Sequence, residues 1–266
     1  GKTTVTHMVG HILITAGYDP TVLVGDGSSA RAGKSSWLVA ETDESDGTLT
    51  LHHPRRAIVT NIELDHPDHF RDVSAVRDLF QWFILNLPQD GLAVVCADDE
   101  LARELKPKAR RVTYGFRHDA TYRSEPVRPF PIHYGGHELG RINLPQPGRH
   151  NIQNATGAAA MALEIGVPFL DVVAALETFP GAHRRLEFLG AFQGAAVYDD
   201  YAHHPTKVRA TIDAARELRH RRLIVVFQPH RYSRLSALMH DFARAFSGAD
   251  KTLILDVYSA GEVNTT

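Results

Sequence analysis

The sequence is poor in cysteine, in long apolar stretches and in net charge. Its one cysteine, Cys96, excludes a disulfide framework and a metal site of several thiolates, and it suits a reducing cytosol. No apolar run approaches the roughly 18 residues of a membrane-spanning helix, and we expect no signal peptide. The formal net charge of −2 gives no electrostatic reason to expect a nucleic-acid or membrane partner. These features predict a cytoplasmic globular protein.

Short apolar runs and helix-like stretches alternate along the first two thirds of the 266 residues. This alternation predicts βαβ units and a mostly parallel sheet with both faces covered. The predicted strands are "TVLVG", "SWLVAE", "AIVTN" and "LAVVCAD", and the predicted helices span 3–16, 74–87, 98–106, 150–166 and 171–179. Residues 122–144 differ, because their prolines and a Gly-Gly pair favour a small antiparallel segment.

A second alternation begins after residues 179–190, where a Pro-Gly pair precedes two arginines. Its predicted elements are strand "AAVYDD", a helix over 205–218, strand "RLIVVF", a helix over 233–246 and strand "TLILDV". This order predicts a smaller, Rossmann-like α/β domain. We therefore expect a first domain over 1–181 and a second over 182–266, with 179–190 as a hinge or boundary.

The first four residues, Gly-Lys-Thr-Thr, match the second half of the phosphate-binding loop G-x-x-x-x-G-K-[ST]. In such a loop, backbone N–H groups at a helix N-terminus hold phosphate oxygens, the lysine meets the β- and γ-phosphates, and the hydroxyl meets Mg²⁺. The tetrapeptide alone is weak evidence, because a helix N-terminus can carry it by chance.

Two acidic segments follow predicted strands, where ligands bind in open α/β sheets. They contain Glu41, Asp43, Glu44 and Asp46 in "VAETDESDG", and Asn61, Glu63, Asp65, His66, Asp68 and His69 in "IVTNIELDHPDHF". Carboxylate oxygens suit Mg²⁺, and a neutral imidazole can complete a second divalent site. One such segment could be only a solvated strand end. Two of them after a phosphate loop favour metal–nucleotide chemistry.

Polar residues also open the helix predicted over 150–166. His150, Asn151 and Asn154 lie at its start, where amide side chains can cap the helix and contact a nucleotide. Capping alone would explain one of these residues but not the whole run.

Several segments, in this order and with this rough spacing, resemble the Mur ligases. They are "GKTT", "ETDESD", "TNIELDH", "PGRHNIQNA" and "GAHRRLEFLG", and the resemblance covers nearly the whole chain. Mur ligases are the ATP-dependent, amide-forming enzymes of peptidoglycan precursor synthesis, and hence of cell-wall growth and division. The resemblance implies a central P-loop ATPase domain followed by a domain that admits the amino acid.

The family also has an N-terminal domain for the UDP-sugar. The resemblance implies that the chain begins inside the phosphate loop, lacks this UDP-sugar domain and carries an incomplete C-terminal domain. A fragment would explain why Gly1 stands where an initiator methionine would be expected. The oligomeric state stays open.

Two further segments, "YDDYAHHPTKVRATIDAAR" and "FQPHRYSR", resemble the alanine-adding branch of the family. The implied reaction joins L-alanine to the lactyl carboxylate of UDP-N-acetylmuramate through an acyl phosphate. Gln81 stands where several Mur ligases carry a carbamylated lysine, which fits this branch. Selection of alanine over serine or glycine is not readable, because one methyl group contributes only about 1–3 kcal/mol.

The resemblance implies a role for each matched residue. The implied catalytic residues are Lys2, Glu41, His66 and Arg185. The implied nucleotide contacts are Gly1, Lys2, Thr3, Thr4, His150, Asn151, Asn154, Arg185 and Asp200, the last to the ribose. Thr3, Glu41 and His66 would bind metal, with Glu44 as the local rival of Glu41. The amino-acid pocket would comprise Tyr201, His203, Arg231 and Arg234. The implied cofactors are ATP and Mg²⁺, or Mn²⁺ in its place.

Two other functions compete with this interpretation. A related recycling ligase attaches a whole peptide to the same UDP-sugar and should differ around "FQPHRYSR", where a larger substrate must enter. A non-catalytic nucleotide-binding module is the second alternative, although Lys2, Glu41 and His66 argue against it. Arg185 could also be a plain surface charge, and His203 could simply precede a helix.

Overall fold

The backbone follows the predicted α/β order in a computed structural model that describes residues 1–25, 27, 30–45, 47–65 and 69–263. The chain divides into two units. The first comprises Gly1–Glu63, Val73–Gln146 and His150–His183, and the second comprises Leu64–Asp72, Pro147–Arg149 and Arg184–Thr266. Among the described residues, no helix combines the length and the apolar character needed to cross a membrane.

Eight strands and six helices precede residue 184 in the described chain. In order they are α1 (Lys2–Thr15), β1 (Thr21–Leu23), β2 (Leu38–Ala40), a 3₁₀ helix (Thr48–Leu51), β3 (Arg56–Val59), α2 (Val73–Leu85), β4 (Leu92–Cys96), α3 (Glu100–Glu104), β5 (Arg110–Gly115), β6 (Tyr122–Ser124), β7 (Phe130–Tyr134), β8 (His137–Ile142), α4 (Arg149–Ile165) and α5 (Phe169–Glu177).

The main sheet of the first unit has the order β3-β4-β5-β6-β7-β8. Strands β3 to β6 pair in parallel, and β6 to β8 pair antiparallel. The predicted parallel sheet and the antiparallel segment within 122–144 are both confirmed. Strands β1 and β2 form a separate parallel pair.

The core of the first unit is built around β4, which is buried along its whole length. Leu92, Val94 and Cys96 belong to a cluster that also contains apolar residues of α1 and α4. Ala93 and Val95, which alternate with them, are also fully buried. Burial on both faces is typical of a parallel sheet covered by helices, and it places Cys96 in the core, where burial raises its thiol pKa to about 11.

Helix α4 packs closely because small residues face the sheet. A Cβ added at Gly157 would lie 2.7 Å from Cζ of the buried Tyr114 ring. We expect Gly157→Ala to destabilise the first unit, because overpacking costs about 1–3 kcal/mol and outweighs the gain of about 1 kcal/mol in helix propensity. Urea unfolding followed by fluorescence of Trp37 and Trp82, which lie in this unit, measures the loss.

The double variant Gly157→Ala/Tyr114→Leu is the control for this steric explanation. Its destabilisation should be smaller than the sum of the two single effects, since leucine leaves room for the added methyl group. Strict additivity, or a Gly157→Ala protein as stable as the original, would contradict the close approach.

The second unit contains β9 (Glu187–Phe192), β10 (Ala195–Asp199), α6 (Pro205–Glu217), β11 (Ile224–Phe227), α7 (Tyr232–Ala237), α8 (Met239–Ala245) and β12 (Lys251–Ile254). Strands β9 and β10 form an antiparallel hairpin, whereas β11 and β12 pair in parallel. A small core joins α6, β11 and α8 through Val208, Ile212, Phe227, Phe242 and Ala245.

Two sequence predictions for this unit need correction. Strand β9 begins at Glu187, inside the segment predicted as a hinge. The single helix predicted over 233–246 is interrupted at Leu238, whose φ of −117° and ψ of 19° leave the helical region. The interruption coincides with burial of Phe242 and Ala245 in the small core, so tertiary packing overrides a locally continuous helical pattern.

Candidate active site

The first part of the site lies at the N-terminus of α1, where a helix presents N–H groups and a positive partial charge to anions. Gly1 is the N-cap residue, and its carbonyl accepts the first helical hydrogen bond from Val5 at 3.0 Å. A Cβ on Gly1 would lie 2.9 Å from Asn154 Oδ1 and 3.3 Å from Thr60 Cβ. A larger residue at this position would press on both side chains, so Gly1 lies directly beside Asn154 of α4 and Thr60, the residue that follows β3.

Acidic residues that follow β2 meet the start of α1. The Thr3 hydroxyl donates to Glu41 Oε1 at 2.8 Å, and the Gly25 N–H donates to Glu41 Oε2 at 3.1 Å. Lys2 Nζ donates to Glu44 Oε2 at 2.9 Å, and Glu44 is buried. The structure thus separates the two rival glutamates: Glu41 contacts the hydroxyl, and Glu44 contacts the lysine.

The donor set at this position suits Mg²⁺. The oxygens of Thr3 and Glu41 are 2.8 Å apart, close to the separation of about 3 Å between adjacent ligands in an octahedron with Mg–O bonds of about 2.0–2.1 Å. Among the described residues, no three His, Cys, Asp or Glu side chains cluster as a metal site. Mg²⁺ is commonly held by one or two carboxylates plus substrate phosphates. His66 lies outside the described residues, so its metal role stays a prediction.

The other predicted nucleotide contacts of the first unit lie on α1 and α4. Thr4 is buried in the first turn of α1. Asn151 and Asn154 are buried in the first two turns of α4, and His150 beside them is partly exposed. Asn154 lies against Gly1 at the start of α1. The nucleotide roles of these residues stay predictions.

In the second unit, a strained turn carries Arg185. Its neighbours Arg184 and Leu186 have φ angles of +52° and +48°, a region that residues other than glycine rarely adopt. The Leu186 N–H donates to Asp200 Oδ2 at 2.8 Å. The guanidinium carbons of Arg184 and Arg185 lie 5.0 and 5.7 Å from the centroid of the Tyr201 ring. Asp200 and Tyr201 therefore hold the turn that positions Arg185.

Asp200 is occupied by contacts within the unit. Its Oδ1 accepts from the Ala202 N–H at 2.8 Å and lies 3.1 Å from the Thr211 hydroxyl. Burial raises the pKa of Asp200, although its hydrogen bonds act in the opposite direction. A ribose would have to share these carboxylate oxygens with the Leu186 and Ala202 amides and the Thr211 hydroxyl. The structural role of Asp200 is therefore evident, and its contact with a ribose stays a prediction.

We expect Asp200→Ala to unfold the turn locally, because the Leu186 and Ala202 amides lose their acceptors at a cost of about 2–3 kcal/mol. Amide hydrogen exchange at Leu186 and Ala202 should become faster, while Asp200→Asn, which keeps one acceptor oxygen, should have a smaller effect. Unchanged protection in the alanine variant would show that the carboxylate does not hold the turn.

Asp65 is the centre of a charged cluster in the second unit. Lys207 Nζ donates to Oδ2 at 2.6 Å, and Arg234 Nε donates to Oδ1 at 3.1 Å. The side chains of Asp65 and Arg234 are only 12% and 4% exposed. Burial alone would raise the pKa of Asp65, but the charge and the hydrogen bond of Lys207 act in the opposite direction, and the pKa lies well below its ordinary value. The carboxylate is therefore ionised at neutral pH.

A row of rings continues from this cluster. Tyr201 and His203 pack edge to face with centroids 5.2 Å apart, and His203 lies 6.2 Å from His230. Burial lowers the pKa of both histidines. His203 Nδ1 lies 2.9 Å from the Tyr201 carbonyl; because a carbonyl only accepts, this nitrogen carries the proton of the neutral ring. Both imidazoles are thus mainly neutral near pH 7.

Arg231 adopts a strained backbone at the start of α7. Its φ is +71°, and its N–H donates to the Tyr258 carbonyl at 2.9 Å. Non-glycine residues held in such regions are enriched in functional sites.

The second unit contains all four residues predicted for the amino-acid pocket. Three of them, Tyr201, His203 and Arg234, are linked through direct contacts or through the shared Asp65.

Sequence reasoning gave no role to three residues of this cluster. In the sequence, Asp65 is only one carboxylate of an acidic segment, and His230 is only part of the segment "FQPHRYSR". Lys207 lies four residues after His203, a spacing that brings side chains together near a helix start. That spacing is the one local signal that Lys207 lies beside His203. The contact between Lys207 and Asp65 depends on the fold and has no local signal.

Two family models match the chain. The Mur ligase middle domain matches residues 1–162, and the Mur ligase glutamate ligase domain matches residues 184–263. Together they cover both the phosphate loop and the Asp200–Arg234 region.

Individual relatives agree with these matches. The UDP-N-acetylmuramate–L-alanine ligase of Desulfatibacillum aliphaticivorans is 43% identical over 98% of this chain and 60% of its own length. The solved UDP-N-acetylmuramate–alanine ligase MurC of Thermotoga maritima has a TM-score of 0.81 and 31% identity, over 97% of this chain and 60% of that one. A murein peptide ligase of Psychrobacter arcticus shares the fold, with a TM-score of 0.68 and 22% identity over 96% of this chain and 67% of that one. The chain spans about 60% of the first two relatives and belongs to the Mur ligase family.

Proposed function

We propose that this chain supplies the ATP-binding and amino-acid-binding parts of a UDP-N-acetylmuramate–L-alanine ligase. The observation that carries the proposal is the meeting of Lys2, Thr3, Glu41 and Glu44 at the N-terminus of α1. It combines a phosphate-binding helix start with oxygen ligands for a divalent ion. The 43% identity to a relative of that name supports the choice of substrates. We further propose a division into domains over 1–181 and 182–266.

The proposed reaction has two steps. A lactyl carboxylate oxygen attacks the γ-phosphorus of ATP, which releases ADP and forms an acyl phosphate. The amine of L-alanine then attacks the acyl carbon, and inorganic phosphate leaves as the amide forms. Positioning and charge stabilisation supply most of the rate in phosphoryl transfer.

The residues of the first unit serve the first step. Lys2 neutralises charge on the β- and γ-phosphates, and the α1 N-terminus adds its N–H groups. Thr3 and Glu41 would hold Mg²⁺, which supplies charge stabilisation to the phosphates when bound. Arg185, which belongs to the second unit and whose guanidinium lies over the Tyr201 ring, is also assigned to this step, as a partner of the transferring phosphoryl group.

The residues of the second unit serve the amino acid. Tyr201, His203, Arg231 and Arg234 are assigned to its pocket, with Asp65 fixing the last of these. The substrates are UDP-N-acetylmuramate and L-alanine. We also propose that the protein acts in the cytoplasm, because the reaction uses ATP and the single free cysteine suits a reducing compartment.

Phosphate release tests the proposal against its rivals. The full-length protein that contains this chain receives ATP, Mg²⁺ and UDP-N-acetylmuramate, and then each common amino acid or the tripeptide of the recycling reaction. Release that depends on L-alanine is the expected result. Release only with the peptide would indicate a recycling ligase, and nucleotide binding without amine-dependent release would indicate a non-catalytic module.

A further inference from the structure

The cluster around Asp65 contains two cations for one carboxylate. Lys207 and Arg234 each hydrogen-bond one oxygen of Asp65, so the three side chains together carry one net positive charge. His203 and His230, which border the cluster, add no full charge near pH 7 because their pKa values are lowered by burial. A mostly buried site with surplus positive charge favours a small anion.

Arg234 is already committed to partners within the unit. Its Nη1 lies 3.2 Å from the His230 carbonyl and 3.3 Å from His230 Nδ1, while Nη2 lies 3.4 Å from the Asp65 carbonyl. Bidentate binding of a carboxylate requires two adjacent N–H groups of the guanidinium. Arg234 would have to break these contacts to bind a substrate in that way, and its side chain is almost completely buried.

Lys207 differs from Arg234 in accessibility and in its remaining donor. Its ammonium group has three N–H donors. One is directed to Asp65, and a second to His203 Nε2 at 3.3 Å. Within the described part of the chain it makes no other hydrogen bond, and its side chain is 37% exposed. A fixed ammonium group with one remaining donor is thus accessible beside the rings of the predicted pocket.

We propose that Lys207 binds the α-carboxylate of the amino-acid substrate, while Arg234 belongs to the same pocket as a positioning residue that fixes Asp65 and His230. This inference rests on the proposed function, because it assigns a contact within the amino-acid site of that reaction. The attraction between Lys207 and Asp65 holds the ammonium group in place before the substrate arrives, which lowers the entropic cost of the contact.

The test compares L-alanine with L-alaninamide, which has the same amine and methyl group but no carboxylate. Phosphate release is measured for three forms of the full-length protein that contains this chain: the unsubstituted protein, the Lys207→Met variant and the Lys207→Arg variant. Arg209→Met is the matched control, since Arg209 is an exposed cation on the same helix. Loss of a charge-assisted contact should lower kcat/KM for L-alanine by about 10- to 100-fold, mainly through KM.

The ratio of kcat/KM between the two acceptors decides the result. We expect Lys207→Met to reduce this ratio, Lys207→Arg to restore part of it, and Arg209→Met to leave it unchanged. If Lys207→Met leaves this ratio unchanged, whether or not both activities fall, the inference is overturned while the proposed function stands. The same holds if the unsubstituted protein does not prefer L-alanine to L-alaninamide. No amine-dependent release from the unsubstituted protein would overturn the proposed function, and this inference with it.

Discussion

Substitution of Lys2 by methionine should reduce kcat for ATP-dependent ligation by about 10²–10³-fold, the usual effect of removing one preorganised group that stabilises transition-state charge. Lys2 is fixed at the N-terminus of α1 by Glu44, 2.9 Å away. Methionine keeps much of the side-chain volume but removes the cation that we assign to the phosphates. Steady-state phosphate release under saturating substrates measures the change.

Two further variants separate this effect from general loss of charge. Lys34→Met removes an exposed cation from the same unit and should leave kcat unchanged. Lys2→Arg keeps the charge but replaces a compact ammonium group with a planar fork, so only part of the activity should return. An equal loss for Lys34→Met, or full activity of Lys2→Met, would refute the assigned role of Lys2.

Substitution of Asp65 by alanine should destabilise the second unit by about 3 kcal/mol, as expected when one partner of a buried ion pair is removed. Arg234 would keep its charge, with its side chain 4% exposed, and lose the carboxylate that neutralises it. Both tryptophans lie in the first unit, so amide hydrogen exchange in α6 and β11 is the suitable measurement. Exchange there should accelerate markedly.

The control variants for Asp65 test charge against packing. Asp213→Ala removes an exposed carboxylate from α6 and should change stability by less than about 0.5 kcal/mol. The double variant Asp65→Leu/Arg234→Met should recover much of the loss, because an apolar pair can replace a buried ion pair. Protection of α6 that is unaffected by Asp65→Ala would mean that the cluster does not stabilise the unit.

The sequence predicts the elements whose patterns are local. Helix α1 and strand β4 follow from an apolar helical period and a short apolar run, and the antiparallel segment follows from its prolines and glycines. Strand β9 was missed because its residues are largely exposed and show no alternation. The interruption at Leu238 was missed because no glycine or proline marks it; it depends on packing against α6 and β11.

The sequence predicts which residues belong to the candidate site, but it does not predict which of their side chains contact each other. The phosphate loop and the acidic segment identified Lys2, Thr3, Glu41 and Glu44, yet which glutamate meets the hydroxyl required the fold. The partners of Asp65 lie 142 and 169 positions further along the chain. No local period links residues so distant, and a lysine on a helix is ordinarily only a solvated charge.

The most direct test of the account follows one oxygen atom. UDP-N-acetylmuramate with heavy oxygen in its lactyl carboxylate is given to the full-length protein that contains this chain, with ATP, Mg²⁺ and L-alanine, and the released phosphate is analysed by mass spectrometry. Attack of the carboxylate on the γ-phosphorus predicts one heavy oxygen in each phosphate released and one retained in the new amide. Phosphate without the label, released at the same rate, would contradict an acyl-phosphate ligase.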